Sequence, residues 1–117
     1  MGFEQLDTDT LDQYCAAIGA GTLMKSVVLF EQMAPEYVAA VLKGVATGDK
    51  ETITREAHKL KGAAGSVGLK RIQLLSERLQ RGEAPEWSVE HGTWLGEIQT
   101  HLDPDVAALK AYLTAKG

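Results

Sequence analysis

Apolar residues recur at intervals of three and four along almost all of this chain, and no stretch alternates apolar and polar residues as a half-buried strand does. No Asn-Gly or Asp-Gly pair offers a two-residue hairpin turn either. The expected fold class is therefore all-α. Asp9 or Thr10 stands where a cap belongs for a first short helix to about Ile18, with Leu11, Tyr14 and Cys15 on one side and Gly19 and Gly21 ending it. Thr22 is expected to cap a second helix, with Leu23, Val27, Phe30 and Met33 facing inward. Pro35 interrupts that run, because proline disfavours helix at the residue before it. A third helix then runs from Pro35 to about Thr47 on Val38, Val41, Leu42 and Val45. Asp49 resembles the cap of a fourth, from Lys50 to about Ala64 or beyond, which Gly65 and Gly68 loosen or end. A fifth spans Leu69 to Gln80 with Ile72, Leu75 and Leu79 inward, and Arg81 to Pro85 reads as a loop. A sixth starts near Glu86 and carries Trp87, Trp94, Leu95, Ile98 and Leu102. Asp103-Pro104 predicts a kink or a new helix running to about Thr114. The architecture this implies is an antiparallel four-helix bundle with additional short helices at its N-terminal side, all within one domain of residues 1–117.

Charge is unevenly spread over these helices. The whole chain carries −4, yet residues 55–81 hold seven basic side chains (Arg55, Lys59, Lys61, Lys70, Arg71, Arg78 and Arg81) against Glu56 and Glu77, a local charge of +5. A basic segment in an acidic chain suits an anionic ligand or an acidic partner, and it equally suits two solvated helix faces. Overall negative charge and the absence of a recognisable motif argue against nucleic acid. The longest aliphatic and aromatic run, Val27-Val28-Leu29-Phe30, is far short of a membrane span. The segment Met1–Asp7 lacks the basic start and apolar core of a secretory leader. With Cys15 as the single cysteine, no internal disulfide can form, which fits a cytoplasmic chain or the cytoplasmic part of something larger.

The segment Ala57-His58-Lys59-Leu60-Lys61-Gly62-Ala63-Ala64-Gly65 concentrates the chemistry. On a helix, Ile53, Ala57, Leu60 and Ala64 fall within roughly 60° of one another and define the buried stripe. His58 lies roughly 120° from the centre of that stripe, at its exposed margin. Gly62 and Gly65, one and two turns on, leave its face open to an approaching surface, although glycine in a helix interior costs about 0.5–1 kcal/mol relative to alanine. Lys61, three residues on, can bring an ammonium beside the imidazole and stabilise an arriving phosphoryl group. Spacing alone leaves two readings: an ordinary boundary histidine, or a histidine that takes up and releases phosphate. A metal site on His58, His91 and His101 is disfavoured, because the spacing holds no His pair at four residues and no Glu-x-x-His repeat.

The run Ala57-His58-Lys59-Leu60-Lys61-Gly62, the glycine at Gly68 and the helix of Leu75 and Leu79 resemble the histidine-containing phosphotransfer (HPt) domain. The longer string from His58 through Gly65-Ser66-Val67-Gly68-Leu69 resembles, within that family, the C-terminal phosphotransfer domain of Arc-type anaerobic-response hybrid sensor kinases. The resemblance implies that His58 is the phosphoryl acceptor, that Lys61 stabilises charge beside it, and that Gly62 clears space for the partner. Gln80 matches the position that hydrogen-bonds the other ring nitrogen and orients the imidazole. Lys59, Gly65 and Arg71 would join Gly62 in the docking surface, with apolar residues of the second helix near Phe30 and Met33. Donor and acceptor would be response-regulator receiver domains, one of them in a hybrid sensor kinase, with no nucleic acid and no membrane contact, and with the carrier a monomer. No cofactor is expected on this chain; the Mg²⁺ of the reaction would sit on the receiver. No nucleotide-binding glycine loop is present, so a phosphocarrier is expected rather than a kinase. A module that only binds is the other reading the resemblance allows, and the presence of both His58 and Lys61 argues against it.

Overall fold

A computed structural model describes residues 3–117; Met1 and Gly2, which begin the segment read for a leader, lie outside it. The described residues form five α-helices and no strand: α1 (Thr8–Ile18), α2 (Ala20–Thr47), α3 (Lys50–Ser66), α4 (Lys70–Gln80) and α5 (Trp87–Lys116). Helices α2 to α5 pack in a ring, each against the next and α5 back against α2, while α1 lies on α2. Contacts along each seam run in opposite directions. Gly44 meets Ile53 across α2 and α3, Gly65 meets Gln73 across α3 and α4, and Arg71 and Leu79 meet Asp105 and Trp87 across α4 and α5. The bundle is thus antiparallel throughout, and no helix is long and apolar enough to cross a membrane.

The caps explain most of the boundaries. Asp7, not Asp9 or Thr10, caps α1: its carboxylate accepts from the Thr10 amide at 3.1 Å and the Thr10 hydroxyl at 2.8 Å. Asp49 caps α3 as expected, accepting from the Thr52 amide at 3.2 Å. The break after α1 is Gly19 alone, at φ +86°; Gly21 and Thr22 lie inside α2, and Thr22 caps nothing. Gly68, at φ +75°, turns the chain from α3 into α4, and its missing Cβ leaves room for Leu11.

Neither internal proline ends a helix. Pro35 lies inside α2, so the expected second and third helices are one, and Pro104 lies inside α5, so of the expected kink or new helix no new helix begins there. Each proline removes one intrahelical bond and frees the carbonyl four residues back. Pro35 and Glu31 are exposed, as are Pro104 and Thr100, so both freed carbonyls lie on the solvent side. Continuity of α2 also rephases its buried stripe to Leu23, Val27, Phe30, Ala34, Val41 and Gly44. Met33 and Leu42, expected inward, fall off that stripe and are 45% and 46% exposed.

One ionised cluster is buried in this core. Asp105 is fully buried and takes both Arg71 and Gln5: Arg71 Nε donates at 3.0 Å, a second guanidinium nitrogen pairs with the other oxygen, and Gln5 Nε2 donates at 2.9 Å. The N-terminal segment that brings Gln5 there runs back along α4. Phe3 lies under the Arg78 guanidinium at 4.6 Å, and Asp7 donates its amide to Gly68 at 2.9 Å.

Candidate functional site

Helix α3 buries Ile53, Ala57, Leu60 and Ala64, the stripe expected from spacing, which turns His58 outward to an exposed position. The facing helix can be placed by register. The Gly65 backbone lies against the Gln73 side chain: a Cβ on Gly65 would stand 2.9 Å from Gln73 Nε2. His58 is seven residues before Gly65 and Gln80 is seven after Gln73. Seven residues are close to two turns, so His58 and Gln80 come to the same level of the seam, on the sides that face each other. The Gln80 amide oxygen is buried there without a hydrogen-bond donor. It is an acceptor awaiting an N–H, and the histidine opposite has one to give. The expected bond from Gln80 to the ring is not made in this structure, while its acceptor is kept dry and free.

The same register sets Glu77 opposite Lys61, each four residues from the Gly65 and Gln73 contact. Arg81 holds the Glu77 carboxylate at 2.7 Å. Lys61, half-buried, is left with no ion-pair partner among the described residues, and so is Arg55. The other five cations of the basic segment are engaged. Lys59 pairs with Glu56 at 3.0 Å, Lys70 with Glu4 at 3.6 Å, Arg71 with Asp105 and Arg81 with Glu77, while Arg78 covers Phe3 and Trp94. The cations of this segment without an ion-pair partner are thus Arg55 and Lys61, three residues before and after His58 on α3.

Two residues expected in a docking surface have other work. The Arg71 guanidinium is drawn into the Asp105 cluster, which raises its pKa first through the hydrogen bond to Asp105. Gly65 is half-buried and accommodates Gln73, so its missing side chain serves the approach of α4 rather than a partner. Gly62 is different: it is exposed, and a Cβ there would meet nothing within 4 Å. Lys59 is 52% exposed but already paired along its own helix.

Sequence reasoning expected apolar residues near Phe30 and Met33 in the receptive surface but missed the exposed Leu29 and, elsewhere in the fold, the buried carboxyl of Asp105. Leu29 and Met33 of α2, 59% and 45% exposed, border an open groove of about 170 Å³ with Phe30, Tyr37, Ala63 and Ser66. Ser66 continues the line of His58 and Gly62 at four-residue steps, so the groove begins two turns from the histidine. Phase across Pro35 was the signal that could have found Met33 exposed. Asp105 gave no sign beyond standing next to Pro104. Of the other histidines, His91 stacks on Trp87 with centroids 4.4 Å apart. Among the described residues no three His, Cys, Asp or Glu side chains are grouped to hold a metal ion.

With this geometry in hand, three comparisons with known proteins agree. The family model described as the Hpt domain matches residues 25–114. The chain is 37% identical over 108 residues to the aerobic respiration control sensor protein ArcB of Escherichia coli strain K12, and equally to that of Shigella flexneri. Each match takes in 92% of this chain, which spans only 14% of the length of those relatives. The fold is similar to the histidine-containing phosphotransfer domain of ArcB from Escherichia coli, with a TM-score of 0.94 and 35% identity over 97% of this chain and 96% of that one. A solution structure of the same domain gives a TM-score of 0.86 at 36% identity, covering 94% and 88% of the two chains.

Proposed function

This chain belongs to the Hpt domain family, and on that premise we propose that His58 takes a phosphoryl group from the aspartyl phosphate of one receiver domain and passes it to the aspartate of another. Domains of this family are phosphocarriers of two-component signalling, not autonomous kinases. In the first step a ring nitrogen of neutral His58 attacks phosphorus in line. An N–P bond forms as the P–O bond to the donor carboxylate breaks, and the carboxylate leaves with its electron pair. The second step runs the same exchange onto the acceptor receiver. Chemistry of this kind is mainly positioning and charge stabilisation.

Roles on this chain follow from position. On closing with Gln80, a step this structure does not contain, the nearer ring nitrogen would donate its N–H to the amide oxygen and leave a lone pair on the outward nitrogen. Lys61 carries the unpaired ammonium that offsets charge on the phosphoryl oxygens. Gly62 leaves the receiver's rim room to reach His58, and the groove at Leu29 and Met33 accepts an apolar edge of that partner. The Mg²⁺ that activates the acyl phosphate belongs to the receiver. The carrier acts as a monomer on the cytoplasmic side, within or beside a hybrid sensor kinase.

The observation that most supports this reading is the level placement of exposed His58 against the buried, unpartnered amide oxygen of Gln80. The test is incubation with a receiver domain phosphorylated on its aspartate. Acid-labile phosphate should appear on the wild type and be absent from His58→Gln. Label that persists in His58→Gln would remove the site assignment, and no label on the wild type with any cognate receiver would remove the function.

A further inference from the structure

The last turn of α4, which carries Gln80, ends in an unusual way. The final carbonyls of a helix have no intrahelical partner and must find one elsewhere. Those of Arg78 and Gln80 accept from the nearby amides of Arg81 and Gly82, at 3.2 and 3.0 Å. The Leu79 carbonyl is satisfied from another helix: the Trp87 indole N–H donates to it at 2.8 Å, in a buried setting. Trp87 is itself well fixed. Its ring stacks on His91 with planes 9° apart, and His91 Nδ1 donates to the Trp87 carbonyl at 2.9 Å. The Lys50 ammonium lies over the indole at 5.2 Å, and the Lys50 stem passes where a Cβ on Gly82 would stand 2.6 Å away. The start of α3, the end of α4 and the start of α5 therefore converge on one indole, and the carbonyl it holds belongs to Leu79, the residue before Gln80.

We propose that Trp87 is a positioning residue for phosphotransfer: by holding the Leu79 carbonyl it fixes the last turn of α4, and with it the place of the Gln80 amide opposite His58. The inference rests on the reading of Gln80 as the acceptor for the His58 ring. Helix ends fray, and α4 has only 11 residues, so a turn without this bond would sample positions displaced from the ring. A displacement near 1 Å is enough to break an oriented hydrogen bond and to misplace a reacting group. The ring would then relax toward the tautomer that protonates the outward nitrogen and blocks attack.

Trp87→Phe keeps an aromatic ring for His91 and Lys50 and deletes the donor. Replacement of Trp87 by benzothienylalanine keeps the bicyclic shape as well, should the smaller ring not fold. The readouts are the ¹⁵N spectrum of the His58 ring, which reports its tautomer, and the rate of phosphoryl uptake from a phosphorylated receiver. Both variants are expected to lower the fraction protonated on the inward nitrogen and to slow uptake about fivefold, with receiver affinity unchanged. In a Gln80→Ala background the same change at position 87 should add nothing. If Gln80→Ala alters the ring and the rate while both Trp87 variants match wild type, Trp87 is structural only and the proposal fails, with the reading of Gln80 intact. If Gln80→Ala itself matches wild type, that reading fails and takes the proposal with it. An effect at position 87 that persists undiminished in Gln80→Ala also overturns the proposal, because the route would not pass through Gln80.

Discussion

One turn beyond His58, Gly62 carries no side chain, and a methyl group built there would touch nothing within 4 Å. Within the isolated chain this glycine is a cost, since alanine at an exposed helix interior is worth about 0.5–1 kcal/mol more. Gly62→Ala should therefore raise the melting temperature while slowing transfer from a phosphorylated receiver. A variant both more stable and fully active would show that no partner approaches there. Much at this scale was legible in the sequence. The exposed margin of His58, the open face at Gly62 and the proximity of Lys61 follow from helical spacing on α3 alone. The partnership with Gln80 needed family resemblance, because nothing within α4 marks Gln80 apart from other polar residues. Which cations are free was not legible at all. Lys61 and Arg71 look alike in a charge count, and only the fold shows one unpaired and the other bound to a buried carboxylate.

The elements themselves rest on a few caps and stripes. At Asp7 the carboxyl is held below the ordinary carboxylate value of 3.8, chiefly by the Thr10 hydroxyl and then by the Thr10 amide. Because the folded-state value is depressed, the stability this cap adds is complete above the unfolded value and is lost as pH falls through the folded one. An acid titration of wild type should show this loss below about pH 4, and Asp7→Asn, which caps without titrating, should flatten that part of the slope. An unchanged slope would place the acid sensitivity elsewhere. Helix identity was legible nearly everywhere, but helix number was not. Local rules read Pro35 and Pro104 as boundaries, whereas apolar stripes running past both sites hold α2 and α5 continuous, with each lost bond on the solvent side. The same local view misplaced Leu42, counted inward on a helix that restarts at the proline, and Met33, which is next to the buried Ala34 but off the stripe of Leu23, Val27 and Phe30.

Across the whole molecule, the proposed function draws on two neighbouring surfaces, the seam of α3 and α4 that presents His58 and the groove between α2 and α3. Leu29 is 59% exposed, so Leu29→Glu should leave the melting temperature nearly unchanged while weakening receiver binding about tenfold, as calorimetry would measure. Equal binding by the variant would take the groove out of the interface. Stability draws on a different assembly, in which Asp105 from α5, Arg71 from α4 and Gln5 from the N-terminal segment meet. Asp105→Ala should cost about 3 kcal/mol in a urea melt, because it leaves the half-buried Arg71 guanidinium and the Gln5 amide without their shared acceptor. A loss below about 1 kcal/mol would mean that Arg71 swings out at no penalty. None of this cluster was visible in the sequence, since its members lie 34 and 100 residues from Asp105 and share no periodicity. The cluster also constrains how such a chain can drift over generations. A single change at position 71 or 105 is a fitness valley, whereas a paired change to two well-packed apolar residues need not be one. Descendants of this sequence should therefore keep both members or lose both, and a lineage caught with only one should be among the least stable of its kin.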